Sequence, residues 1–356
     1  MRTSPLLLAV GMCGLVCCFQ HVEPVRGDEI GPAVISDEAQ RLIDAMIAAR
    51  RELKSGIFTA TVRHTTTEAD GVSVNQKARL RYVFDHPEAC LRYEYHGEAA
   101  MGMEAASEDP AEVERQIKEG RYITKPRMRP IMVYFTRNGD YSAGWSKIGN
   151  QSDEDFGFNQ LSIRPPEDHG IHCFSTILNP SVVGMTDERD LRSLNNEIEV
   201  VLKRHSSRVT TVSLKHLENG CVQLHYDIEF NLGRWRRTLE IDPANGFTCR
   251  RMTISLLRPL SDSEPVPFEV TADWVQRNGI WVPIRTTLRS VHLKKSTTEY
   301  DCVLDWAEVN PARINPLEFD YHMFEHVSPG TKVYDRRNGN SELIEIVDSC
   351  DESVEQ

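Results

Sequence analysis

The chain has 356 residues, with 53 acidic against 41 basic side chains, a formal net charge of −12 and a pI near 5.5. That balance argues against general binding to nucleic acid or anionic membranes, because neutralising phosphates needs clustered Lys and Arg. The length suits one large domain or two ordinary ones.

Residues 1–27 read as a signal peptide. Arg2 supplies a small basic region, and Leu6–Phe19 is an apolar stretch too short to span a bilayer comfortably. Val25-Arg26-Gly27 places compact residues at −3 and −1, which predicts cleavage before Asp28. Cys13, Cys17 and Cys18 raise the alternative of a lipid anchor, but Leu15-Val16-Cys17 lacks the small residue expected before a lipidated Cys. The expected location is therefore periplasmic or extracellular, with no transmembrane helix in the mature chain. Six cysteines remain after cleavage: Cys90, Cys173, Cys221, Cys249, Cys302 and Cys350. An even number in an exported chain permits disulfides, and spacing selects no pairing. Strand parity puts Cys90, Cys221 and Cys249 on polar faces and Cys302 on an apolar one.

Ser36 reads as an N-cap, with Asp37 and Glu38 in the first helical turn. Leu42, Ile43, Met46, Ile47 and Leu53 then form an apolar stripe at helical spacing, so Asp37–Lys54 is the expected helix. Gly56 ends it. Strands follow at once, in the alternations Phe58/Ala60/Val62, Leu80/Tyr82/Phe84 and Leu91/Tyr93/Tyr95. Residues 101–130 break the rhythm as a first insertion, with a short helix over Ala111–Glu119 and a basic loop at Lys125–Pro130. Met132–Trp145 returns to strand around an Asn138-Gly139 turn. Residues 147–180 read as a second, turn-rich insertion, and Asp187–Leu194 as helical. Residues 336–356 read as an acidic tail, frayed from Asp348.

Between Ile198 and Trp306 the pattern is a long antiparallel meander with one apolar face. Val212 and Leu214 alternate with polar residues. After Glu218-Asn219-Gly220 the alternation resumes at Val222, Leu224, Tyr226, Ile228 and Phe230. A three-residue loop with Gly220 at positive φ pairs Leu214 with Leu224; a two-residue loop would set apolar against polar. A four-residue turn in Asp242–Phe247 brings Trp235, Leu239 and Ile241 onto the face of Met252, Ile254 and Leu256. A three-residue loop at Arg277-Asn278-Gly279 pairs Trp274 with Val282 and Ala272 with Ile284. The opposite face carries Glu240, Arg251, Thr253, Glu269, Thr271, Arg285, Thr287 and Arg289.

Catalytic signatures are absent from this sequence: no G-x-S-x-G, Walker loop, GxGxxG or CxxC occurs. His169, His172 and Cys173 lie close together, but the flanking Pro and Gly read as a loop, and no third metal ligand is evident. No cofactor, metal or catalytic residue is expected. The functional hint is the aromatic face, where Tyr226, Phe230, Trp235, Phe268, Trp274, Tyr300 and Trp306 fall on one side of one sheet. One amphipathic helix has to cover it, and an incompletely covered curved sheet leaves an apolar hollow of the kind that binds apolar ligands.

Three stretches carry a resemblance: Gly56-Ile57-Phe58-Thr59-Ala60, Leu239-Glu240-Ile241-Asp242-Pro243 with Asn245-Gly246-Phe247, and Asn278-Gly279-Ile280-Trp281-Val282-Pro283. With the signal peptide, the helix and the meander, they resemble Lol-type periplasmic lipoprotein carriers and the wider lipoprotein-sorting-like superfamily. The resemblance implies an incomplete barrel whose helix plugs an acyl-binding hollow. This chain is longer than those carriers, and none of their latch residues can be matched to positions here. The expected fold is mainly β: a curved antiparallel sheet or incomplete barrel over residues 28–335, with the helix on its concave face. The expected function is non-catalytic binding of an apolar or acyl ligand, lipid or lipoprotein, as carrier or sensor. The alternatives are a structural or protein-interaction module with a fully covered sheet, and a secreted hydrolase.

Overall fold

The computed structural model of the protein describes residues 35–67, 71, 73–105, 107, 109–119, 124–148, 160–166, 180, 183, 209–230, 233–259, 268–291, 296–325, 327 and 329–347. The signal-peptide residues, the His169–Cys173 group, Asp187–Leu194 and the tail from Asp348 lie outside them.

The chain opens with helix α1 (Asp37–Arg51), started where Ser36 accepts a hydrogen bond from the Ala39 amide (3.2 Å). Strands β1 (Ser55–Thr67), β2 (Ser73–Asp85) and β3 (Cys90–Ala105) follow as an antiparallel meander. Next come α2 (Pro110–Lys118), β4 (Thr124–Arg137), β5 (Ser142–Ile148) and β6 (Gln160–Arg164). The second meander is β7 (Val209–His216), β8 (Val222–Phe230), β9 (Gly233–Asp242), β10 (Thr248–Pro259), β11 (Phe268–Arg277), β12 (Ile280–Val291) and β13 (Thr297–Val309). Two short strands, β14 (Lys332–Asp335) and β15 (Glu342–Ile346), complete the order.

The fifteen strands among the described residues belong to one sheet, in the order β15-β14-β6-β5-β4-β3-β2-β1-β13-β12-β11-β10-β9-β8-β7. The two meanders join where the first strand pairs with the thirteenth, Ala60 opposite Leu304 and Val62 opposite Cys302. The sheet is curved but not closed, and among the described residues β7 and β15 are its outer strands. On its concave side, Ala39, Leu42, Ile43, Met46 and Ile47 of α1 share one buried cluster with the inward residues of β1–β4 and β8–β13. The expected mainly-β fold, with the helix on the concave face, is the observed one.

Several local readings are corrected. The 101–130 insertion has strand at both ends: β3 runs to Ala105, β4 begins at Thr124, and α2, close to the expected short helix, lies between them. Lys125–Pro130 therefore lies in β4 and not in a loop. The second insertion contains β6, and the stretch assigned to a tail supplies β15. The Asn278-Gly279 loop has two residues, with φ of 50° and 81°. Both values match the twist of a two-residue hairpin turn. Trp274 consequently faces Pro283, Ala272 faces Thr286, and an irregularity between Asp273 and Trp274 absorbs the offset. The β9–β10 loop spans five residues, 243–247, and a bulge between Cys249 and Arg251 restores the face, so Leu239 still meets Met252. That bulge also turns Cys249 inward, which parity alone missed. Cys221 and Cys249 are buried, and Cys90, Cys221, Cys249 and Cys302 are free thiols.

The predicted wet face is wet, and ordered by cross-strand pairs: Arg251 with Glu269 (2.6 Å), Arg285 with Asp301 (2.8 Å) and Thr271 with Thr287 (2.6 Å). On the other half of the sheet the convex face is apolar. Val83 packs with Ile314 and Phe319, and Tyr134 and Trp145 pack with Phe324 and Val333. The segment after β13 thus straps that outer face. Arg81 holds Glu318 through two bonds (2.9 and 3.0 Å), and Arg92 donates to the carbonyls of Glu318 (3.2 Å) and Met323 (2.7 Å).

Candidate functional site

The concave trough is assembled from strand parity. Leu224, Tyr226 and Ile228 on β8 sit opposite Leu239, Arg237 and Trp235 on β9. The row continues from Arg237 to Ile254, Phe268 and Ser290 across β10, β11 and β12. A second row runs Leu239, Met252, Val270, Leu288, Tyr300, His64 and Gln76.

Helix α1 lies across one end of this trough. Its first turn meets the β7–β8 turn, where His216 and Glu38 are 3.0 Å apart. Its last turn reaches β11, where the Arg50 guanidinium sits 4.2 Å from the centre of the Trp274 ring. Asn310 then fixes the chain as it leaves the helix. Its Oδ1 accepts from the amides of Lys54 (2.8 Å) and Ser55 (3.1 Å), and its Nδ2 donates to the Glu52 carbonyl (2.7 Å).

The seven predicted aromatics have different surroundings. Tyr226 and Trp306 are fully buried core. Trp306 donates through Nε1 to the Pro283 carbonyl (2.8 Å) and packs on Phe58 at 4.8 Å. Trp274 is half-buried beneath Arg50 and donates to the Cys249 carbonyl (2.9 Å). Tyr300 is half-buried and stacks on His64 at 4.2 Å, with the rings 2° from parallel. Trp235 and Phe268 are half-buried, and Phe230 lies in β8 with its side chain outside the described residues. Trp235, Leu256, Phe268, Leu288 and Tyr300 form a partly buried apolar band, away from the end occupied by α1.

The trough also holds polar side chains that the alternation did not single out. His64 faces inward, bonded to Gln76 (2.8 Å), and burial pushes its pKa below the usual imidazole value. Arg237 occupies an inward position between Trp235 and Leu239 and is buried. Arg50 is 7% exposed, and burial lowers its pKa to about 10 against the opposing pull of the Cys249 thiol and Glu52. The signal for both arginines was present in the spacing. Arg50 follows Ile43, Met46 and Ile47 by seven, four and three residues, so it lies on the apolar stripe.

Among the described residues no group of three or more His, Cys, Asp or Glu side chains could hold a metal ion. No described helix is long and apolar enough to cross a membrane.

No protein-family model matches the chain, and no curated protein matches it. Solved structures do. The chain is similar in fold to lipoprotein-sorting and LolA-superfamily structures. One is described as an outer membrane lipoprotein-sorting protein domain from Vibrio parahaemolyticus, at 10% identity and a TM-score of 0.38, covering 78% of this chain and 96% of that one. A LolA superfamily protein from Nitrosomonas europaea matches at 9% identity and a TM-score of 0.32, covering 79% and 96%. A DUF1329 family protein from Desulfovibrio piger matches at 9% identity and a TM-score of 0.40, covering 81% and 99%.

Proposed function

We propose that the protein binds an apolar or acyl ligand, a lipid or the acyl part of a lipoprotein, in the concave trough, outside the cytoplasm and as a carrier or sensor. The observation that supports this reading is the partly buried, incompletely covered band of Trp235, Leu256, Phe268, Leu288 and Tyr300. It continues the buried core of the trough beyond the reach of α1. Large apolar side chains incompletely covered in a concavity are the usual lining of small-ligand sites. Export and a periplasmic location belong to the same proposal, since they rest on residues 1–27 of the sequence.

Native mass spectrometry and solvent extraction of the purified full-length protein test it. The expected result is a co-purifying acyl compound, displaced by added long-chain lipid, and weaker retention after Phe268→Asp. A protein that carries no such compound and takes up none when it is offered would overturn the proposal.

A further inference from the structure

Arg50 is charged at any physiological pH. Both of its Nη atoms are buried, and neither has a hydrogen-bond partner among the described residues. Glu52 and Cys249 act on its charge at a distance, without a hydrogen bond to either Nη atom. Trp274 offers the face of its ring, and the C-terminal turn of α1 offers its dipole. Neither supplies an acceptor for the Nη hydrogens. A buried cation whose donors are empty is costly, and buried charges in folded proteins are as a rule paired. The guanidinium fork matches the two oxygens of a carboxylate or a phosphate. Trp274 beneath it is only partly buried.

The position within the trough adds a second constraint. Trp274 and Phe268 lie on the same strand, six residues apart and roughly 20 Å along it at ordinary strand rise. Phe268 belongs to the apolar band; Trp274 carries the cation. A molecule satisfying both ends is an amphiphile with an anionic head and a long acyl chain.

Accepting the acyl-binding reading above, on which this rests, we infer that the ligand is an acyl amphiphile with an anionic oxygen head, a carboxylate or phosphate, held by Arg50 over Trp274. Arg50 then acts as the residue selecting anionic over neutral chains, and α1 serves as the wall that positions it.

The test compares palmitate, hexadecyl phosphate and hexadecanol, which carry the same chain on different heads. Their affinities are measured by equilibrium titration on the full-length protein, on Arg50→Met and on Arg50→Lys. Charged hydrogen bonds of this kind predict a roughly 10- to 100-fold preference for an anionic head over hexadecanol. Arg50→Met, which keeps the stem and removes the charge, is expected to abolish the preference while leaving hexadecanol affinity within about twofold. Arg50→Lys is expected to retain part of it. Tighter binding of palmitate identifies the head as carboxylate; tighter binding of hexadecyl phosphate identifies it as phosphate. Equal binding of all three by the natural protein, or an unchanged preference in Arg50→Met, refutes the role of Arg50 and leaves the acyl-binding reading standing. Failure of all three to bind refutes both. Circular dichroism of each variant confirms that the fold compared is the same.

Discussion

Replacing Asn310 should loosen α1 from the sheet, and the structure sets the size of the effect. Asn310 sits just beyond β13 with φ of 46°, a left-handed conformation that non-glycine residues rarely adopt. Its side chain makes three hydrogen bonds to the backbone where α1 runs into β1, and its own amide donates to the Ser55 carbonyl (2.9 Å). Asn310→Ala deletes the three side-chain bonds. At about 1 kcal/mol for a typical bond, and less for the solvent-exposed ones, this amounts to about 2 kcal/mol. An alanine held in the left-handed region adds about 1 kcal/mol. The expected loss is about 3 kcal/mol on these two terms. Asn310→Gly removes the same bonds without the backbone strain and should cost less than Asn310→Ala. Urea unfolding followed by tryptophan fluorescence measures both. A loss below about 1 kcal/mol for Asn310→Ala would refute the pinning role. Equal losses for the two variants would refute the strain term.

Other parts of the sheet carry predictions of the same kind. Gly246 has φ of 66°, and a Cβ there would lie 2.3 Å from Trp281 Cδ1, so Gly246→Ala should destabilise by about 2–4 kcal/mol in the same unfolding assay. An unchanged midpoint would show that the β9–β10 turn and Trp281 are not in contact in solution. Burial lowers the His86 pKa to about 4, helped by the Arg137 charge. The unfolded state then binds the proton first. Stability should be full above about pH 6.5 and fall as pH drops through about 4, by up to about 3 kcal/mol, a slope that His86→Asn should remove. Hydrogen bonding to Arg81 lowers the Glu318 pKa even though burial opposes it. Its contribution is therefore present above the ordinary carboxylate pKa and is lost as pH falls through the lower folded value. Glu318→Gln should cost about 1–2 kcal/mol at neutral pH and flatten that acid limb; faster amide exchange confined to residues 314–324 is the expected signature.

The second meander was legible because its turns name themselves. Gly220, Gly246 and Gly279 all sit at positive φ between alternating runs, and the Leu214–Leu224 register followed from matching apolar to apolar. What escaped was each place where a bulge changes parity. Cys249 turns inward because of an irregularity that costs nothing visible in the sequence. The pairing of β1 with β13 is a contact between residues about 250 apart, and no local pattern reports it. The strapped outer face did leave a trace. Ile131-Met132-Val133-Tyr134-Phe135 is apolar without alternation, the mark of a strand covered on both sides. In the trough, reading the stripe by its apolar members alone passed over Arg50 and Arg237, which hold inward positions and are buried with it.

The two ends of α1 are held with different strength, and that difference bears on the site. At its start the helix meets the sheet edge through Glu38 and His216, both more than half exposed, a pair of the kind that contributes little. At its end three side-chain bonds from Asn310 fix the backbone at Glu52, Lys54 and Ser55, immediately after Arg50. The guanidinium is therefore carried on the firmly held turn of the helix, stacked on a tryptophan whose own Nε1 is bonded to the Cys249 carbonyl. A charge placed this way has little freedom left to lose when an anion arrives, and preorganisation of that kind is what makes a single cation selective. The cost falls on the unliganded protein, which keeps a buried guanidinium whose Nη atoms have no hydrogen-bond partner among the described residues. The Met-for-Arg exchange separates these effects, because it relieves the unliganded state of that charge and removes the selectivity together.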